Sequence, residues 1–96
     1  MKVLELIRMK REEILRVASK HGVGNVRVFG SVAREEETEA SDVDFLVEIT
    51  GVTTPWFPGG LINDLQRVLG RRVEVVTERG LNPRLRPYVL REAQPI

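Results

Sequence analysis

In Ser41-Asp42-Val43-Asp44-Phe45-Leu46-Val47-Glu48-Ile49, Val43, Phe45, Leu46, Val47 and Ile49 read as a strand with two acids, Asp42 and Asp44, at its start. Val, Ile, Leu and Phe give it the apolar, β-branched content of a half-buried strand, and Gly51 bounds it. Working outward, Asn25 to Phe29 is a Val-containing strand stopped at Gly30, with a helical turn expected over residues 31–36. Arg72 to Thr77 is a third strand carrying Val73, Val75 and Val76. Between and around the strands lie helical patterns. Val3, Leu4, Ile7, Ile14, Leu15, Val17 and Ala18 predict one amphipathic helix over residues 2–20, ended at His21-Gly22. Leu61, Ile62, Leu65, Val68 and Leu69 predict a short helix ended by Gly70, after a Pro- and Gly-containing loop over 52–60. Asn82-Pro83 offers a cap and a first-turn proline for a last helix running to about Glu92. Pro87 disfavours an interior position, so that helix starts or bends there. Residues 93–96 are a weak candidate for an edge strand. Helices alternating with strands make an α/β pattern, and three strands are too few to close a barrel. The expected architecture is an open sheet with helices packed on it.

The 96 residues are the size of one domain, 1–96, and the absence of cysteine excludes a disulfide scaffold. A hydrophobic fraction of 42% excludes disorder, and no apolar run approaches the roughly 20 residues that span a bilayer. A cytoplasmic protein with no membrane association is therefore expected. The net charge of +1 argues against direct nucleic-acid binding, which needs a strongly basic face. That charge is segregated: residues 1–34 carry +5, residues 35–48 carry −7 with no base among them, and residues 71–96 carry +3. Glu35, Glu36, Glu37 and Glu39 read as a solvated acidic loop.

The end of the acidic block is different. Strand side chains alternate, so Asp42 and Asp44 share a face, about 7 Å apart along the backbone. Like charges on one face repel unless a cation lies between them, and hard oxygen ligands on a rigid strand suit Mg²⁺. The other reading is a solvent-facing pair at a strand entrance, with Ser41 as a turn residue. Gly30-Ser31 closes the preceding strand with a residue that admits close backbone approach and a hydroxyl beside free N–H groups, a setting suited to phosphate and equally to an ordinary tight turn. Arg34 lies on the same side of that turn, either to reach a phosphate oxygen or to neutralise the nearby glutamates. Glu74 sits inside a Val-rich strand, either beside the Asp pair, as a further metal ligand or the base for an attacking hydroxyl, or facing outward and paired with Arg72.

Taken together, Gly30-Ser31-Val32-Ala33-Arg34, the ten residues separating Ser31 from Asp42, and Ser41-Asp42-Val43-Asp44-Phe45-Leu46-Val47-Glu48 resemble the signature of the minimal nucleotidyltransferases, within the DNA polymerase β-like superfamily. Leu69-Gly70-Arg71-Arg72-Val73-Glu74-Val75-Val76-Thr77 is similar to that family's third-carboxylate strand. The family usually has Gly where this chain has Glu35, and most often Asp where it has Glu74.

The resemblance implies a polymerase β-like palm, a small mixed sheet with helices packed on it. It implies a nucleoside triphosphate, ATP, with its phosphates over Gly30 and Ser31 and with Arg34 and Ser41 nearby. It implies two Mg²⁺ ions ligated by Asp42 and Asp44, with Glu74 completing the site near the attacking hydroxyl. Proteins similar to this one pair with a small helical HEPN ribonuclease toxin, and the nucleotidyltransferase acts as antitoxin, transferring AMP to a toxin tyrosine in a type VII-like module. A hetero-oligomer with the toxin follows. Two alternatives stand beside it: a non-catalytic antitoxin acting by binding alone, and the catalytic half of a two-chain enzyme modifying a small molecule. Trp56 and Phe57, between two prolines, are either exposed anchors for a base or partner or a cover for the sheet edge. Arg79, Arg84, Arg86 and Arg91 read as a solvated face or an acidic partner's landing site. Tyr88 reads as a packing residue, and His21 carries no expected chemistry.

Overall fold

The computed structural model describes residues 1–96. Four strands, β1 (Val23–Phe29), β2 (Val43–Ile49), β3 (Val73–Thr77) and β4 (Gln94–Pro95), form one mixed sheet in the order β3-β2-β1-β4. β1 runs antiparallel to both β2 and β4, and β2 runs parallel to β3. Five helices complete the fold: α1 (Val3–Met9), α2 (Arg11–Lys20), α3 (Gly30–Ala33), α4 (Gly59–Leu69) and α5 (Arg86–Glu92). No helix is long and apolar enough to cross a membrane.

Alternation sorts the sheet into two faces. Val43, Phe45 and Val47 of β2 and Val73 and Val75 of β3 join Ile7, Ile14, Leu61, Leu65 and Leu69 of the helices in one buried cluster. The intervening residues Asp44, Leu46 and Glu48 of β2 and Glu74 and Val76 of β3 face the other way. α1, α2 and α4 cover one face, and Asp44 and Glu74 lie on the other, where Leu46 is also fully buried. In α4 the buried residues Leu61, Leu65 and Leu69 recur every fourth position, and Gly70 ends the helix at φ 66°.

The single helix expected over 2–20 is two, broken at Lys10 (φ −101°, ψ 16°). Burial stops at Ile7 and resumes at Ile14. A continuous helix would put position 10 or 11 on the buried stripe, and both are basic. β1 starts two residues earlier than expected. Between Gly24 and Arg27 its register with β2 shifts by one residue, a bulge with Asn25 at φ 47° that hides the alternation. Asn82 does open a turn, accepting the Arg84 N–H on its side chain at 2.9 Å. The helix begins only at Arg86, however, with Pro87 in its first turn. A helix started at Pro83 would set the Pro87 ring against the Pro83 carbonyl. The edge strand at 94–95 is present on β1, and α4 starts at Gly59, inside the predicted loop.

The acidic loop is held rather than merely solvated. Glu37 Oε2 accepts the Val3 N–H at 3.1 Å, capping α1, and this bond holds the Glu37 carboxyl below its ordinary value. Arg71 Nη2 donates to the Thr38 carbonyl at 2.8 Å and the Ser41 carbonyl at 3.1 Å, and Arg72 Nη2 to the Ala40 carbonyl at 2.9 Å. His21 Nε2 meets Asp64 Oδ2 at 2.7 Å, tying α2 to α4, a structural role that the sequence did not reveal. Glu35 sits at φ 57°, where a side chain costs about 1–2 kcal/mol. Glu35→Gly is accordingly expected to stabilise the fold by about 0.5–1 kcal/mol after glycine's own entropic cost, read as a rise of roughly 3–6 °C in Tm.

Candidate active site

The parallel register of β2 and β3 places Asp44 directly beside Glu74, and the antiparallel register of β1 and β2 places it beside Phe29. Gly30 follows Phe29 at φ 74°. A Cβ built on Gly30 would overlap Asp44 Oδ2 and come within 3.3 Å of its Cγ, so the turn rests on the carboxylate. Asp42 lies just ahead of β2. The chain thus brings together Gly30, Asp42, Asp44 and Glu74, drawn from three elements and separated by up to 44 positions.

Their electrostatics follow from that crowding. The Asp44 carboxyl is pushed up to about 6, first by burial and then by the charges of Glu74, Asp42 and Glu92. Arg34 offsets them in part. Arg72, in one reading a partner for Glu74, pairs with Asp42, its Nε 3.0 Å from Oδ1. The contact lies off the hydrogen-bond direction, and that shielded oxygen has no hydrogen bond. Glu74 is exposed. No three His, Cys, Asp or Glu side chains converge closely enough to cage a metal by themselves. A half-buried Asp44 crowded by like charges and an Asp42 balanced only by the largely exposed Arg72 are nevertheless donors whose repulsion a cation would relieve. They fit Mg²⁺, which draws the rest of its shell from water and phosphate oxygens.

The other predicted residues are placed less simply. Ser31 is the second residue of α3, half-buried. The Ser41 hydroxyl is turned away into its own loop, accepting the Thr38 N–H at 2.9 Å. Arg34 is engaged by carboxylates: Nη1 lies 2.8 and 3.0 Å from the two oxygens of Glu92, and Nε lies 3.3 Å from Glu36. These contacts, Glu92's foremost, raise the guanidinium above its ordinary value. Glu92 also accepts the Gly30 N–H at 2.6 Å. It is the residue that sequence reasoning missed, and 62 positions of separation explain why.

Trp56 is 83% exposed, whereas its neighbour Phe57 packs against the core. Tyr88 is no packing residue. It is 65% exposed, with the Arg91 guanidinium 5.9 Å from its ring centre. A cavity of about 360 Å³ lies between Val47–Ile49 and Thr77–Arg79, at the far ends of β2 and β3 from the acids. The carboxylates themselves lie on an open face.

Comparison with known proteins agrees with this fold. The nucleotidyltransferase domain family matches residues 10–96. A Methanocaldococcus jannaschii protein, named as a protein adenylyltransferase, is 37% identical over 83 residues, covering 86% of this chain and 89% of its own. A solved structure described as a minimal nucleotidyltransferase is 48% identical, with a TM-score of 0.85 over 100% of this chain and 97% of that one. A toxin–antitoxin crystal structure with AMP-PNP superposes with a TM-score of 0.73 over 88% of this chain and 69% of that one. At 19% identity it speaks to fold alone. The family match spans nearly the whole chain and takes in every residue of the site, so the chain belongs to the nucleotidyltransferase domain family and is a minimal nucleotidyltransferase.

Proposed function

We propose that the protein transfers AMP from ATP to a hydroxyl of a partner protein, the tyrosine of a cognate HEPN ribonuclease toxin, and acts as its antitoxin in the cytoplasm. The observation that carries this is the pairing of Asp44 with Glu74 across β2 and β3, under the Gly30 turn. The protein adenylyltransferase name of the 37% identical relative supports AMP as the transferred group. The toxin partner comes from the resemblance of the Gly-Ser and Asp-x-Asp signature to stand-alone members of the family. An open carboxylate face, rather than a closed pocket, suits an acceptor that is itself a protein.

In this proposal Asp42 and Asp44 hold Mg²⁺, with Glu74 alongside, and Gly30 and Ser31 seat the terminal phosphates. When bound, the metal offsets charge on the triphosphate and on the oxygens entering and leaving the α-phosphorus. The acceptor oxygen bonds to the α-phosphorus as the bond to the bridging oxygen of the β-phosphate breaks, and pyrophosphate leaves. In this reading Glu74 takes the acceptor's proton. The protein's part is mainly positioning, since little covalent chemistry falls to it.

Incubation with ATP, Mg²⁺ and the product of the adjacent gene, followed by mass spectrometry of that product, tests the proposal. Additions of AMP mass that vanish with Asp42→Ala/Asp44→Ala are expected. Neutralisation of the partner that survives the double substitution without mass gain would mark a binding-only antitoxin instead.

A further inference from the structure

We propose that Glu92 is a positioning residue of the nucleotide site, clamping the Gly30–Arg34 turn from the C-terminal segment. The assignment rests on the reading of that turn as the phosphate-binding element. Three contacts carry it. Glu92 Oε2 accepts the Gly30 N–H at 2.6 Å, and both Glu92 oxygens accept from Arg34 Nη1 at 2.8 and 3.0 Å. Two residues on, Gln94 Nε2 donates to the Ala33 carbonyl at 3.0 Å. Gln94 is itself fixed by strand pairing with Val28. The turn is therefore held at its first N–H and its last carbonyl by neighbouring residues of one segment.

Such a turn needs an external hold. α3 has four residues, a single turn, and one helical turn does not sustain itself in water. It begins at Gly30 with φ 74° and is followed by Glu35 at φ 57°, both left-handed. Gly30 also lies against Asp44, so any shift of the turn reaches the proposed metal ligand. Glu92 fixes the Phe29–Gly30 peptide by taking its N–H.

The clamp also reassigns Arg34. With its Nη1 given to Glu92 and its Nε to Glu36, the guanidinium serves as the clamp's counter-ion instead of a phosphate ligand. It neutralises a carboxylate that would otherwise face the triphosphate. A rival role is that Glu92 stands where a phosphate belongs and yields to nucleotide. The two roles predict opposite signs.

The test uses the full chain with Glu92→Ala, Glu92→Gln and Arg34→Ala/Glu92→Gln. MgATP affinity is measured by calorimetry, and backbone amide exchange is followed at Gly30. Glu92→Ala is expected to weaken MgATP binding about tenfold or more, to raise KM for ATP with little change in kcat, and to speed Gly30 exchange by at least about tenfold. Glu92→Gln keeps a carbonyl to accept the Gly30 N–H, and should stay within about threefold of wild type in both readouts. Removing Arg34 on that background should change affinity less than about twofold.

Tighter MgATP binding in either single variant would overturn the clamp and make Glu92 a rival anion. Unchanged affinity and Gly30 exchange in Glu92→Ala would overturn it as well. A loss of about tenfold or more in Arg34→Ala/Glu92→Gln relative to Glu92→Gln would restore Arg34 as a phosphate ligand and overturn its reassignment. Should Glu92→Ala not fold, Glu92→Gln and the double variant still decide. Wild-type protein that binds no MgATP would refute the phosphate reading itself, while Gly30 exchange continues to report on the clamp.

Discussion

Asp44→Asn is expected to lower nucleotidyl transfer by about 10³-fold or more and, in the absence of metal, to stabilise the fold at neutral pH. The two effects have one origin. Asp44 is half-buried among Glu74, Asp42 and Glu92, and its carboxyl is raised from 3.8 to about 6. Below about pH 4 it is protonated whether the chain is folded or not, and no difference arises. Between about 4 and 6 the folded protein holds a proton that the unfolded chain has released, so stability falls as pH rises through this window. Above about pH 6 the whole penalty is present, on the order of 1–2 kcal/mol after solvent screening is allowed for. Asparagine has nearly the same shape and no charge to bury. The variant should melt higher than wild type at pH 7.5 and level with it at pH 3.5, measured by calorimetry in EDTA. Mg²⁺ with ATP should raise the wild-type Tm and leave the variant's unchanged. A site that trades stability for function in this way is expected where catalytic charges are crowded together.

Gly30→Ala is expected to destabilise the protein by about 2–4 kcal/mol and to abolish measurable MgATP binding. Two separate costs add. Alanine at φ 74° enters the left-handed region, at about 1–2 kcal/mol. Its methyl then overlaps Asp44 Oδ2, so either the carboxylate must swing away from the turn or the turn itself must shift. A fold of this size has on the order of 5–14 kcal/mol in total. The costs separate in a second variant, because the Asp44 Cβ lies 3.6 Å from the added methyl, an ordinary contact. Gly30→Ala/Asp44→Ala should recover about 1–3 kcal/mol of stability by urea denaturation and none of the transfer activity. Failure of Asp44→Ala to rescue any stability would show that the turn does not rest on the carboxylate.

What was legible in the sequence was what repeats locally. β2 was placed with its bounds at Val43 and Ile49, because its apolar run and the flanking turn residues Ser41 and Gly51 lie within eleven positions. The helix ended by Gly70 and the strand carrying Glu74 were equally plain. The break at Lys10 was visible too, as six consecutive positions without a buried side chain, but the helical periodicity on either side masks it. The bulge at Gly24–Arg27 disrupts the very alternation by which strands are recognised.

The site was legible as a motif and not as a contact map. Spacing alone places Ser31, Asp42 and Asp44 near one another along the chain, and strand pairing then sets Asp44 beside Glu74. Nothing local announces that Arg72 turns to Asp42, that Ser41 turns into its own loop, or that Glu92 reaches Gly30. Those are choices among several available charges, made by tertiary geometry. Glu35, where the resemblance leads one to expect Gly, stands in the left-handed conformation that gives glycine its advantage there.

The central claim is that Asp42, Asp44 and Glu74 form a metal-dependent nucleotide site under the Gly30–Ser31 turn. Anomalous diffraction from crystals grown with Mn²⁺ and a non-hydrolysable ATP analogue tests it most directly. Mn²⁺ peaks are expected within ligating distance of Asp42 and Asp44, with Glu74 alongside and the triphosphate lying over Gly30 and Ser31. Metal peaks elsewhere, or a triphosphate bound away from that turn, would contradict it.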